Sequence, residues 1–138
     1  MSIFVDTSAV FAVLDADDQN HGRAKQAWVN LIAQGTELVC TSYILVEAFA
    51  LVQHRLGMEA VRVLQDDVAP MLHVEWVDEG THDAGVAALL TAARRQLSLV
   101  DCVSFNVMRR LGIKTAFTFD DDFAKQGFEQ IPEMSETS

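Results

Sequence analysis

Short apolar segments alternate with longer amphipathic segments along the chain, and this alternation restricts the fold more than any other feature. The short segments are rich in strand-forming residues and cover residues 3–5, 38–40, 72–77 and 114–119. The longer segments have apolar residues at helical spacing and cover residues 7–14, 21–33, 43–56, 58–68, 81–96, 98–111 and 120–125. Strands separated by helices are joined by right-handed crossovers into a parallel sheet covered on both faces. The sequence therefore predicts a three-layer α/β/α fold around a central, mainly parallel sheet of four or five strands.

The chain has the size and composition of one domain. Half of its 138 residues are hydrophobic, which is enough for a buried core. There is no internal repeat or linker, so residues 1–131 are predicted to form a single domain and residues 132–138 a polar, flexible tail. Cys40 and Cys102 lack C-x-x-C spacing, and no segment resembles a signal peptide or a membrane span. We therefore expect a reduced, cytoplasmic protein.

Acidic residues outnumber basic residues by two to one. The 20 Asp and Glu and the 10 Lys and Arg give a formal net charge of -10, which disfavours general contact with nucleic acid or anionic membranes. Half of the basic residues lie in one stretch around Asp101, namely Arg94, Arg95, Arg109, Arg110 and Lys114. This stretch is interpreted either as a solvated helix face or as a basic rim on an acidic protein.

Two acids stand where predicted strands end. Asp6 follows the first strand, and Asp120 follows the fourth. Ligands of open parallel sheets bind outside the carboxyl ends of the strands, so both side chains are expected at the same crevice. Because Asp is also a preferred helix N-cap, a purely structural role stays open for each.

Two further acids lie within apolar helices. Glu47 is the only charged residue in "YILVEAFALV". A core stripe through Leu45, Phe49, Val52 and Leu56 places Glu47 on the opposite side of the helix. Because a helix that is apolar nearly all round is usually buried, Glu47 is expected to be buried and to need either an arginine partner or a metal. Asp101 follows Ser98 by three residues, which fits a capping box, yet its neighbours are suited to burial. Asp101 is therefore either a cap partner or a site residue.

Four carboxylates can share a cleft only if positive charge offsets their repulsion. Hard divalent cations with oxygen ligands, Mg²⁺ or Mn²⁺, are the natural candidates. Such an ion can orient and acidify a water and stabilise charge on a phosphate oxygen. The acids therefore indicate phosphodiester hydrolysis.

Four segments in order carry a family resemblance: "FVDTSAV", Glu47 in the helix after the second strand, "LSLVDCVSF" and "TFDDDF". They closely resemble the acidic motifs of PIN-domain ribonucleases, in particular VapC toxins of toxin–antitoxin pairs, over residues 3 to 128. The resemblance implies that one or two Mg²⁺ or Mn²⁺ ions are held by Asp6, Glu47, Asp101 and Asp120. It also implies that Ser8 and Thr118 are polar neighbours of the ions. Asp121 or Asp122 could add or replace a ligand at the fourth motif.

The resemblance also implies an activity and its partners. In this family a metal-activated water cleaves RNA and leaves a 5′ phosphate. A VapB-like antitoxin covers the toxin, DNA is bound only through that antitoxin, and homodimers are usual, for which the apolar helix 43–56 could supply the interface. On this view the basic rim of Arg94, Arg95, Arg109 and Arg110 contacts RNA phosphates.

Two alternatives belong to other functional classes. A catalytically silent PIN-fold binding module would act only through an antitoxin complex, but the presence of all four acids argues against it. A phospho-acceptor domain is disfavoured because Ser8 stands where haloacid-dehalogenase-like phosphatases need a second acid.

Overall fold

The computed structural model describes residues 1–133. Residues 134–138, which make up most of the predicted tail, lie outside the described residues, so the flexible tail stays a prediction. Within the described part of the chain, no helix combines the length and apolar character needed to cross a membrane.

Five parallel strands form one sheet in the order β3-β2-β1-β4-β5. The strands are β1 (Ser2–Val5), β2 (Glu37–Thr41), β3 (Leu72–Glu75), β4 (Thr115–Phe117) and β5 (Glu129–Ile131). β1 is central, and its residues Ile3, Phe4 and Val5 are all buried, as expected for a strand covered on both faces. The predicted parallel sheet is confirmed, with five strands.

Helices cover both faces of the sheet. They are α1 (Thr7–Leu14), α2 (His21–Ala33), α3 (Ser42–Leu56), α4 (Met58–Val63), α5 (Glu79–Ala92), α6 (Leu99–Leu111) and α7 (Asp122–Lys125). Side chains of α1, α2 and α4 pack with Ile3 and Val5, whereas α6 and α7 pack with Phe4 on the other face. α3 contributes to both clusters, and α5 packs on α6. The predicted three-layer arrangement is confirmed.

Two helices differ most from their predicted extents. α5 begins at Glu79 because the Asp78 carboxylate accepts a hydrogen bond from the Thr81 backbone N–H at 2.8 Å. It ends at Ala92, four residues before the predicted end, because Ala93 adopts a left-handed conformation with φ 50°. The helix predicted for residues 58–68 is α-helical only to Val63 and continues as a π-helical turn, Leu64–Val68.

The edge strand β5 is not predicted by local sequence pattern. Of its three residues only Ile131 is apolar, so the segment lacks the usual signature of a strand. It forms because β4 offers a free edge, and Thr115 pairs with Glu129 and Phe117 with Ile131.

Candidate metal centre

Asp6 links the central strand to the first helix. It follows β1, caps α1, and is only 4% exposed. The hydroxyls of Ser8 and Thr118 both donate to its Oδ2, at 2.7 and 2.9 Å. Each hydroxyl has a single proton, so both are committed to holding this oxygen. Oδ1 is then the oxygen best placed to bind a cation.

Thr118 connects Asp6 to the acids that follow β4. The Thr118 hydroxyl accepts a hydrogen bond from the Asp120 backbone N–H at 3.0 Å while donating to Asp6. The Asp120 carboxylate in turn accepts from the Asp122 N–H at 2.9 Å. A continuous hydrogen-bonded chain therefore fixes Asp120 and Asp122 relative to Asp6. Thr118 is fully buried, which protects this link from water.

Asp101 reaches the same place from the N-terminus of α6. Ser98 caps the helix by accepting from the Asp101 N–H at 3.0 Å, and the Asp101 Oδ2 accepts from the Ser98 N–H at 3.2 Å. The capping-box prediction is confirmed. It does not exclude the site role, because the Asp101 charge also interacts with Asp6 and Asp120. The cap orients the carboxylate towards these acids.

Three carboxylates are close enough to serve one cation. One oxygen each from Asp101, Asp120 and Asp122 lie within 4.8 Å of one another. Mg²⁺ is usually held by few carboxylates and keeps several waters, so three oxygens at this separation could bind one ion after a small contraction, with waters as its remaining ligands. Carboxylate oxygens are also the donors that Mg²⁺ and Mn²⁺ prefer. The residues present therefore fit a hard divalent cation.

The electrostatics of the cluster favour an added positive charge. Burial raises the pKa of the Asp6 carboxyl, although hydrogen bonds from Ser8 and Thr118 oppose the rise. Burial, with help from the charges of Asp6 and Asp120, raises the pKa of Asp101 to about 6. The pKa of Asp120 is also raised, first by burial and then by the neighbouring acids. Without a cation, these groups are costly to ionise together.

We expect divalent-metal binding to weaken about tenfold between pH 7 and pH 5. A metal must displace the proton from Asp101, whose pKa of about 6 leaves about nine tenths ionised at pH 7 and about one tenth at pH 5. Calorimetric titration of the RNA-free protein with Mn²⁺ at both pH values measures the difference. Equal affinities would contradict the involvement of Asp101.

The same shift predicts how the metal-free protein responds to pH. The pKa of Asp101 is higher in the folded chain than its ordinary 3.8, so the folded state binds more protons between pH 4 and 6. Its contribution to the free energy of unfolding is therefore full below about pH 4 and is lost as the pH rises through about 6. Thermal unfolding with and without Mn²⁺ should show the largest metal stabilisation at neutral pH.

Glu47 is the predicted site residue whose burial in the structure differs from the prediction. It was expected to be buried, but it is exposed on α3, so that prediction is wrong. The buried residues of this helix are Ser42, Ile44, Ala48 and Val52, so only Val52 of the stripe predicted to start at Leu45 is fully buried. Glu47 lies outside the trio of close carboxylates, and its role as a ligand stays a prediction.

Most arginines of the predicted basic rim form an ion pair or hydrogen bonds with other residues of the protein. Arg94 forms an ion pair with Asp122 at 3.1 Å, Arg109 donates to the Gln126 carbonyl and side chain, and Arg110 donates to Thr81 at 3.2 Å. Arg95 is exposed. The contact of these arginines with RNA stays a prediction. The Arg94–Asp122 pair was missed because the two residues are 28 positions apart, and no local pattern marks such a pair.

Comparison with known proteins identifies the family. The PIN domain profile matches residues 3–129. VapC20 from two strains of Mycobacterium tuberculosis, a 23S rRNA-specific endonuclease, is 36% identical over 131 residues, which cover 94% of this chain and 97% of VapC20.

Two solved structures have folds similar to that of this chain. The crystal structure of Mycobacterium tuberculosis VapC20, a Sarcin-Ricin loop cleaving toxin, has a TM-score of 0.81 and 32% identity, and the match covers 91% of this chain and 95% of that one. FitAcB from Neisseria gonorrhoeae has the same fold, with a TM-score of 0.67, 14% identity, and coverage of 94% and 96%. With a family profile spanning nearly the whole chain and a relative well above 30% identity, the chain belongs to the PIN domain family and is a relative of VapC20.

Proposed function

We propose that this protein is a Mg²⁺- or Mn²⁺-dependent endoribonuclease and the toxin of a toxin–antitoxin pair. The observation that carries the proposal is the cluster of Asp101, Asp120 and Asp122 beside the buried Asp6. The relative VapC20 is a 23S rRNA-specific endonuclease, so ribosomal RNA is the first substrate class to test. The silent binding module is not favoured, because Asp101, Asp120 and Asp122 lie close enough to bind one cation and Ser8 and Thr118 hold the neighbouring Asp6.

The residues of the chain have separable roles in this reaction. A bound divalent ion would supply an activated water and stabilise negative charge on the scissile phosphate. Asp101, Asp120 and Asp122 would hold the ion, and Asp6 would add a fixed negative charge. Ser8 and Thr118 hold the Asp6 carboxylate in one orientation. We propose that Glu47, exposed on α3, joins the site from its open side.

The proposed partners follow from the charge of the site and from the family. An acidic cleft suits a basic side chain, so we propose that a VapB-like antitoxin inserts one there and that DNA is bound only through the antitoxin. We also propose that the protein forms a homodimer. Val46, 67% exposed on α3, lies on the helix proposed for that interface, and light scattering of the purified chain would report the assembly.

A direct cleavage assay tests the proposed activity. The purified chain should cut 23S rRNA in the presence of Mg²⁺ or Mn²⁺, and the cut should disappear with EDTA and return when metal is restored. Because the water attacks the phosphorus and the 3′ oxygen departs, the downstream fragment should carry a 5′ phosphate, detectable by ligation to an adaptor. Absence of metal-dependent cleavage of any cellular RNA would favour the silent binding module.

A further inference from the structure

A positively charged side chain already occupies one side of the acidic cluster. The Arg94 Nη2 lies 3.1 Å from the Oδ1 of Asp122, and the Asp122 side chain is only 11% exposed. Lys125 approaches the same oxygen but is more distant, at 4.0 Å, and more exposed. Both cations therefore act on Oδ1. Asp122 also belongs to the trio whose oxygens fit a divalent cation.

The backbone on both sides of Arg94 has a defined conformation that fixes the position of this residue. Ala93 ends α5 in the left-handed region, and it is the only non-glycine residue among residues 1–133 with positive φ. For a residue with a Cβ this conformation is disfavoured, so the surrounding structure must favour it. The turn that follows is closed by a hydrogen bond from the Leu97 N–H to the Arg94 carbonyl at 3.2 Å. Leu97 is buried in the core, so Arg94 is held between two anchored points.

The position of Arg94 sets it in competition with a metal. A carboxylate paired with a guanidinium is a poorer ligand, since its charge is already compensated. The guanidinium also repels any divalent ion bound by Asp101 and Asp120. A unit charge about 6 Å from a divalent ion changes its binding about tenfold even at the dielectric constant of water.

We propose that Arg94 is a positioning residue that acts as a tethered cation: it holds Asp122 and weakens the binding of divalent metal to the RNA-free protein. This inference rests on the metal centre of the proposed function but not on cleavage. The positive charge of Arg94 thereby offsets part of the negative charge of the acidic cluster when metal is scarce. It also lowers the affinity of the cluster for a divalent ion. It is a role within the site, distinct from the phosphate contact predicted from sequence.

Calorimetric titration with Mn²⁺ at pH 7, without RNA, tests the proposal. Arg94→Gln should bind Mn²⁺ about tenfold more tightly than the wild type, whereas Arg94→Lys, which keeps the charge, should stay near the wild type. Arg62→Gln is the matched control, because Arg62 is an exposed arginine on α4, on the other face of the sheet. It makes the same change in net charge and should not alter Mn²⁺ affinity.

The outcomes separate this role from a structural brace and from failure of the metal centre. If Arg94→Gln lowers the melting temperature but leaves Mn²⁺ affinity unchanged or weaker, Arg94 is only a brace and the proposal is overturned. If neither the wild type nor the variant binds Mn²⁺, the metal centre itself is wrong and the inference falls with it. Wild-type binding and cleavage with no change in Arg94→Gln would overturn the inference alone.

A second comparison covers the case in which Arg94→Gln does not fold. Arg94→Gln removes the ion-pair partner of the Asp122 carboxylate, which is only 11% exposed, and an unpaired charge at such a position is destabilising. The double variant Arg94→Gln/Asp122→Asn leaves no unpaired charge. The double variant should bind Mn²⁺ severalfold more tightly than Asp122→Asn alone, because only the repelling guanidinium differs. Equal affinities of these two variants would contradict the proposal.

Discussion

Asp6→Asn is expected to lower kcat/KM for RNA cleavage by about 1000-fold, which corresponds to about 4 kcal/mol of transition-state stabilisation. Asn has nearly the same shape, and its Oδ1 can still accept the hydrogen bonds that Ser8 and Thr118 donate at 2.7 and 2.9 Å. The variant loses the negative charge, and an NH₂ group, which cannot bind a cation, replaces the other carboxylate oxygen. The measurement is the initial rate of metal-dependent cleavage of 23S rRNA by the purified variant.

Loss of activity in Asp6→Asn must be separated from loss of fold. Because burial raises the pKa of Asp6, the charged form is disfavoured in the metal-free folded state, and a neutral Asn should unfold at an equal or higher urea concentration. Asp66→Asn is the matched control, since Asp66 is exposed in the π-helical turn after α4 and its variant should cleave like the wild type. Near-normal cleavage by folded Asp6→Asn would show that the reaction does not depend on this carboxylate.

Sequence could predict the acids that local geometry places at the site. Asp6 and Asp120 follow parallel strands, and the carboxyl ends of neighbouring parallel strands meet at one edge. β1 and β4 are neighbours, so the two acids lie close together. For Asp101 the sequence left a cap partner and a site residue as alternatives; the capping box is formed in the structure, and the closeness of its carboxylate to Asp120 and Asp122 depends on the fold.

Sequence alone could not choose the buried face of α3. The helix is apolar nearly all round, so stripes starting at Ile44 or at Leu45 fit helical spacing almost equally well. Packing selects Ile44, Ala48 and Val52, and Glu47 is therefore exposed. The choice is made by the neighbouring elements rather than by the helix itself.

Sequence also could not predict features that depend on distant partners. Ala93 has no local reason to adopt a left-handed conformation, so α5 was expected to continue to residue 96. The ion pair of Arg94 with Asp122 joins residues 28 positions apart in the chain. The short edge strand β5 likewise depends on the free edge of β4 and not on its own composition.

Thr118→Val is expected to reduce both cleavage and Mn²⁺ affinity by about 10- to 100-fold, although Thr118 would not itself bind the metal. Its hydroxyl donates to Asp6 at 2.9 Å and accepts from the Asp120 N–H at 3.0 Å, so it sets the separation of these two acids. Val fills the same space but breaks both hydrogen bonds. The part-buried Asp120 N–H would lose its partner, which costs at most about 1–3 kcal/mol and favours a shift of Asp120 away from Asp6.

Two matched variants separate the hydroxyl from the methyl group and the strand. Thr118→Ser keeps the hydroxyl and should retain most of the cleavage rate and Mn²⁺ affinity. Thr115→Val removes a similarly buried hydroxyl that begins β4 and donates to Glu129 at 3.2 Å, so it should leave both quantities unchanged. Should Thr118→Ser be as impaired as Thr118→Val, the side-chain methyl group and not the hydrogen bonds would be the important feature. If Thr118→Val instead binds Mn²⁺ like the wild type, the chain from Asp6 through Thr118 to Asp120 does not organise the metal centre.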